Sequence, residues 1–126
     1  MEKHDQFREL LGVKVVEVKE GYAKLTMQVV KDHLNFAGST HGGAVFALAD
    51  CAFAEAVNYG EKRAVAIQVS INYIKPSAEG DTLIAEATVV SEGKTFSLCN
   101  INVNKEGKPV ALFTGLAYKL QSEKKT

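Results

Sequence analysis

The chain has 126 residues, 46% of them hydrophobic and 24% charged, enough for one globular domain with a working core. Fifteen basic and fifteen acidic residues cancel to a formal net charge of zero, which leaves no broad field to attract nucleic acid or an anionic membrane. The longest apolar run, around residues 44 to 54, is too short to span a bilayer and contains Asp50.

Residues 2 to 11 are rich in charge, with Phe7, Leu10 and Leu11 at helical spacing, which predicts a short amphipathic N-terminal helical arm over residues 1–11. No charged segment followed by an apolar stretch opens the chain, so no secretory signal is expected. The period then changes to two. VKVVEVKE alternates, Gly21 turns the chain and YAKLTMQVV alternates again, which predicts a hairpin. A loop from Lys31 to Thr40 leads into a helix over roughly residues 43 to 59, closed by Gly60. Four strand-like segments follow: AVAIQVSINYI, DTLIAEATVVS, TFSLCNINVN and PVALFTGLAYKL. Their separators, KPSAEG, EGK and KEGK, have turn chemistry and no helix, which predicts successive hairpins and an antiparallel sheet. The polar tail, residues 121–126, is expected to fray. Without a linker or repeat, residues 1–126 read as a single domain.

The central helix is apolar on nearly every face, broken only by Asp50, Glu55 and Asn58. Such a helix must be covered all round, and one sheet covers one side. A curling sheet and a second subunit would complete the cover, so a homo-oligomer is expected. Asp50 has Phe46, Ala47, Phe53 and Ala54 as its helical neighbours, so no partner lies within its own helix. Burying an unpaired charge is costly unless something pairs with it or uses it. Cys51 and Cys99 lie in apolar segments without metal-ligand spacing and read as small core residues. They suit a reducing cytoplasm. His4 reads as solvent-exposed and His33 as a loop residue.

The stretch HLNFAGSTHGGAVFALADCAF, followed at intervals by INYIKPSAEGDTLIAEATVV and EGKTFSLCNINVN, resembles the hotdog-fold acyl-CoA thioesterases of the PaaI-like, phenylacetic acid degradation type. The likeness covers about residues 10 to 120 and includes the motif N-x-x-G-x-x-H-G-G-x-x-x-x-L-x-D. It implies an α+β hotdog fold, in which an antiparallel six-stranded sheet wraps one long central helix, with a short N-terminal helix. It also implies dimers with one continuous sheet, and pairs of dimers as tetramers. The implied reaction is hydrolysis of an acyl-CoA to free acid and coenzyme A, with no metal or bound cofactor.

Residue by residue, the resemblance makes Asp50 a general base or nucleophile. The Gly42 N–H and the Asn35 side-chain amide would hold the thioester carbonyl and then the oxyanion. Gly43 continues the glycine pair, and His41 orders the loop and helix start. Tyr73, Lys75 and Pro76, then Gly93, Lys94 and Thr95, match the places past which the pantetheine and nucleotide of coenzyme A run. One departure is Ala66, where some relatives carry a serine that helps to position water. Strand alternation gives Gln68 and Ser70 the same sense as Ala66, so either is a candidate substitute. Aryl-acyl groups and short or medium aliphatic chains all fit.

Two other readings stand beside it: a hotdog hydratase or dehydratase, and a non-catalytic acyl-CoA-binding module. Along one helix Gly42 and Asp50 lie about 12 Å apart at 1.5 Å per residue. One chain cannot easily serve a single carbonyl with both. Two antiparallel helices across a two-fold axis would bring each Asp50 to the other chain's helix start.

Overall fold

The computed structural model describes residues 5–120. Its helices are α1 (Gln6–Leu11) and α2 (Gly42–Val57). The strands are β1 (Lys14–Lys19), β2 (Tyr22–Gln28), β3 (Ala64–Tyr73), β4 (Thr82–Glu92), β5 (Phe96–Lys105) and β6 (Lys108–Lys119). The strands form one antiparallel sheet in the order β1-β2-β4-β5-β6-β3. This is the six-stranded sheet around a long helix, with a short N-terminal helix, that the motif implies. His4 and the tail from residue 121 lie outside the described residues.

Asp5 caps α1 by accepting the Arg8 N–H at 3.0 Å, and Gly12 closes it in the left-handed region at φ 76°. Of the apolar face expected of this helix, Leu11 alone packs against the core, half-buried. Phe7 and Leu10 are exposed, and Arg8 Nη1 also ties α1 to α2 by donating to Glu55 Oε2 at 2.6 Å.

KPSAEG does not close a hairpin, contrary to the expectation from its turn chemistry. β3 pairs with β6 at the sheet edge, and β4 pairs with β2 and β5. The intervening segment crosses three strand spacings, roughly 14 Å, which eight extended residues cover easily. Turn residues mark a reversal of the chain but not which strand it returns to.

Inward positions of the sheet, among them Leu25, Leu83, Ile101 and Phe113, close over Leu48, Ala52 and Phe53 of α2. Phe53 packs so closely on β6 that a β-carbon at Gly115 would lie 2.7 Å from its ring. Asn58 caps the far end of α2, its amide donating to the Ala54 carbonyl at 2.8 Å. The helix thus stops at Val57, and Gly60 falls in the turn beyond at φ 64°. One stripe of α2 escapes full burial: Gly43, Phe46, Asp50 and Ala54, at helical spacing. Its one polar side chain is Asp50.

Candidate active site

His41 is the N-cap of α2, and its Nδ1 accepts the Gly43 N–H at 2.8 Å. The proton of the neutral ring is therefore on Nε2. The His41 carbonyl accepts from Ala44 and Val45 at 2.9 and 3.3 Å. Among the described residues the Gly42 N–H meets no acceptor. A single free donor is thus left at the positive end of a 16-residue helix. Where a Gly42 side chain would begin, the Tyr73 ring and hydroxyl stand 3.3 Å away. The Tyr73 hydroxyl donates to the Gly42 carbonyl at 3.0 Å.

The loop before the helix is pinned by Asn35. Its Oδ1 accepts from the Ala37 and Ser39 N–H groups at 2.9 and 3.1 Å, and Gly38 completes the turn at φ 88°. With the oxygen committed, the Asn35 amide is the part that can serve a ligand. Asn35, Gly42, Tyr73, Lys75 and Pro76 line one cleft of about 370 Å³, together with Thr40, Ser77 and Val110. Ser77 Oγ donates to Thr40 Oγ1 at 2.7 Å, and Thr40 N–H donates to the Ser77 carbonyl at 2.9 Å. These two bonds tie the crossing segment to the helix start.

Asp50 is not part of this cleft. It is half-buried, with no hydrogen bond or ion pair among the described residues. Burial, and after it the negative charge of Asp5, raise the proton affinity of its carboxyl. Gly93, Lys94 and Thr95 also lie elsewhere, in the β4–β5 turn. There Lys119 donates to the Thr95 and Gly93 carbonyls at 2.8 and 2.9 Å. Lys119 pairs with Ala64 at the start of β3, whereas the cleft adjoins Tyr73 at its end. One chain does not bring these groups together.

Gln68 and Ser70 do not share the sense of Ala66. Ala66 opposes the buried Ala117, but a bulge makes Ile67 an extra residue, and Gln68 then opposes Leu116 and Ser70 opposes Thr114 on the outer face. Val69 and Ile71, opposite Gly115 and Phe113, take over the core face. Neither polar residue can replace a hydroxyl at position 66.

His33 lies in the loop before α2, as the sequence suggests, in a single 3-10 turn over Lys31–His33. It is buried, with both ring nitrogens hydrogen-bonded, and nothing in the local pattern marks it. Cys51 and Cys99 are buried free thiols whose pKa is pushed up to about 12 chiefly by burial, which makes them inert. No cluster of His, Cys, Asp and Glu suited to a metal occurs among the described residues.

Residues 37–111 match the model of the thioesterase superfamily. The chain belongs to the thioesterase superfamily. It is similar to the acyl-coenzyme A thioesterase PaaI of Escherichia coli, with 40% identity over 121 residues, 95% of this chain and 86% of that one. A mutant of the phenylacetic acid degradation protein PaaI from Thermus thermophilus matches at a TM-score of 0.90 and 40% identity, covering 92% of this chain and 100% of that one. A Streptococcus mutans protein bound to acetyl-CoA matches at a TM-score of 0.84 and 30% identity, covering 89% and 91%. This thioesterase is PaaI-like, with the hotdog fold. No helix among its described residues is long and apolar enough to cross a membrane.

Proposed function

We propose that this thioesterase hydrolyses an acyl-CoA to the free acid and coenzyme A, in a site shared by two chains. The observation that carries the proposal is the unsatisfied Gly42 N–H beside the Asn35 amide in one cleft, with Asp50 alone on the open stripe of α2. The thioester oxygen accepts from Gly42 and Asn35. As the carbonyl carbon becomes tetrahedral, charge collects on that oxygen, where a fixed donor and the helix dipole stabilise it. The Asp50 carboxylate of the second chain takes a proton from water, and the hydroxide adds to the carbon. The C–S bond then breaks, and the departing thiolate takes the proton that Asp50 holds, which restores the carboxylate. In the other route the same carboxylate attacks the carbon directly, the C–S bond breaks to leave a mixed anhydride, and water hydrolyses it to the free acid.

Three features support the shared site. Gly42 and Asp50 are about 12 Å apart along one helix. The open stripe of α2 is apolar but for Asp50. The β3 edge is ten residues long and exposes Val65, Ile67 and Tyr73, the kind of edge that a sheet protects by pairing. Two β3 strands joined antiparallel would carry the start of one to the end of the other. The Gly93–Lys94–Thr95 turn would then approach the neighbour's cleft, where Lys94 and Lys75 can meet phosphates. A dimer, or a pair of dimers, is the assembly proposed. A cytoplasmic location is part of the same proposal, supported by the two free cysteines.

The names of the relatives favour acyl-CoA as substrate: one is an acyl-CoA thioesterase and another holds acetyl-CoA. The test is thiol release from a panel of aryl-acetyl, benzoyl, short- and medium-chain acyl-CoAs. A hydratase would alter only the acyl chain, and a binding module would leave the thioester intact. Absence of thiol release across the panel would overturn the proposal.

A further inference from the structure

His33 is 5% exposed, and its imidazole bridges two elements. Nδ1 accepts the Val30 N–H at 3.0 Å, just beyond β2, and Nε2 faces the Leu11 carbonyl at 2.8 Å, at the end of α1. A backbone N–H can only donate and a carbonyl can only accept, so the ring is neutral with its proton on Nε2. The His33 carbonyl accepts the His41 N–H at 2.7 Å. From that bond a short ladder runs outward, Leu34 bridging Thr40 and the Asn35 N–H donating to Ser39 at 2.7 Å. One arm of the ladder ends in Asn35, and the other runs into Gly42.

The Gly42 arm is fixed by the core packing of α2 and by the Thr40–Ser77 bonds. On the other arm, residues 31 to 34, the His33 ring makes the side-chain hydrogen bonds to neighbouring elements seen among the described residues. We propose that His33 is a positioning residue that sets the Asn35 amide relative to the Gly42 N–H. This rests on the thioesterase reading above. The two donors converge on one oxygen only if the arms hold their spacing, and a misplacement of about 1 Å can lower a rate about 10²-fold. Donors that act mainly in the transition state affect kcat more than KM.

The experiment compares His33→Ala, His33→Asn and His33→Gln. Asparagine can place an acceptor near Nδ1, and glutamine a donor near Nε2. His33→Ala is expected to lower kcat about 10-fold or more, with KM changed less than about 3-fold. His33→Gln, which keeps a tie to α1, should recover part of kcat. Amide exchange by NMR supplies a readout without substrate. In His33→Ala, exchange at Asn35 and His41 should quicken, while Leu48 and Ala52 in α2 stay protected. Native exchange at Asn35 and His41 overturns the proposal, as does a kcat loss that only tracks the folded fraction or a glutamine variant no better than alanine. If the wild type released no thiol, the thioesterase reading would fail, and exchange would still decide whether His33 anchors the loop.

Discussion

Asp50 stands alone on the open stripe of α2, and the direction of its pKa governs both its chemistry and its effect on stability. A base must be ionised, so the acid limb of kcat/KM should lie above the ordinary aspartate value of 3.8, with activity rising as pH rises through it. Stability runs the opposite way. The folded chain holds this proton more tightly than the unfolded chain does, so the contribution is full below the unfolded pKa and is lost as pH rises through the folded one. Asp50→Asn should therefore lower turnover about 10²-fold or more. It should leave the neutral melting temperature equal or higher, with any gain shrinking in acid. Kinetics and thermal melts across that pH range check both, and near wild-type turnover would remove Asp50 from the reaction. As a candidate, Asp50 stands out in the sequence as a lone carboxylate in an apolar run, whereas Gly42 and Asn35 are marked only by the likeness to the PaaI-like family. His33 was marked by neither, because its character comes from Leu11 and Val30, contacts that no periodicity records.

The start of α2 shows how two elements share one task. His41 takes the Gly43 N–H, Tyr73 takes the Gly42 carbonyl, and the Gly42 N–H is what remains. Gly42→Val keeps the N–H but should hold the thioester away from it, lowering turnover about 10²-fold, the size of losing one oxyanion donor. A side chain there must displace the Tyr73 ring from 3.3 Å, and Tyr73, about half-exposed, has room to swing away. The variant should therefore fold, which circular dichroism would verify. A folded Gly42→Val enzyme with unimpaired kinetics would take the helix start out of the mechanism. The six strands and the long helix were legible because hydrophobic periodicity is local. The partner of β3 was not, because pairing is decided across the sheet. The bulge at Ile67 escaped for a related reason: an extra residue is visible only against the strand opposite.

At the scale of the assembly, the separation of Gly42 from Asp50 makes a quantitative claim. Asn35→Ala and Asp50→Asn are each expected to be inactive. Unfolded together and refolded as a mixture, they should form about half mixed dimers, each with one intact composite site, and return about a quarter of wild-type activity. Mixed dimers shown to be present but inactive would sink the shared site. The seam where two chains would meet is β3, and there the single extra residue acts as a change of parity. Before Ile67 the core face of the strand belongs to even-numbered residues, Ala64 and Ala66; after it, to odd ones, Val69, Ile71 and Tyr73. The chain tells inside from outside along this strand by counting, and Ile67 is the beat left uncounted. Were Ile67 counted, with the strand pairing in plain alternation past Ala66, Tyr73 would turn away from Gly42 and Gln68 and Ser70 would face the core, unseating the helix start although no residue of the cleft had changed.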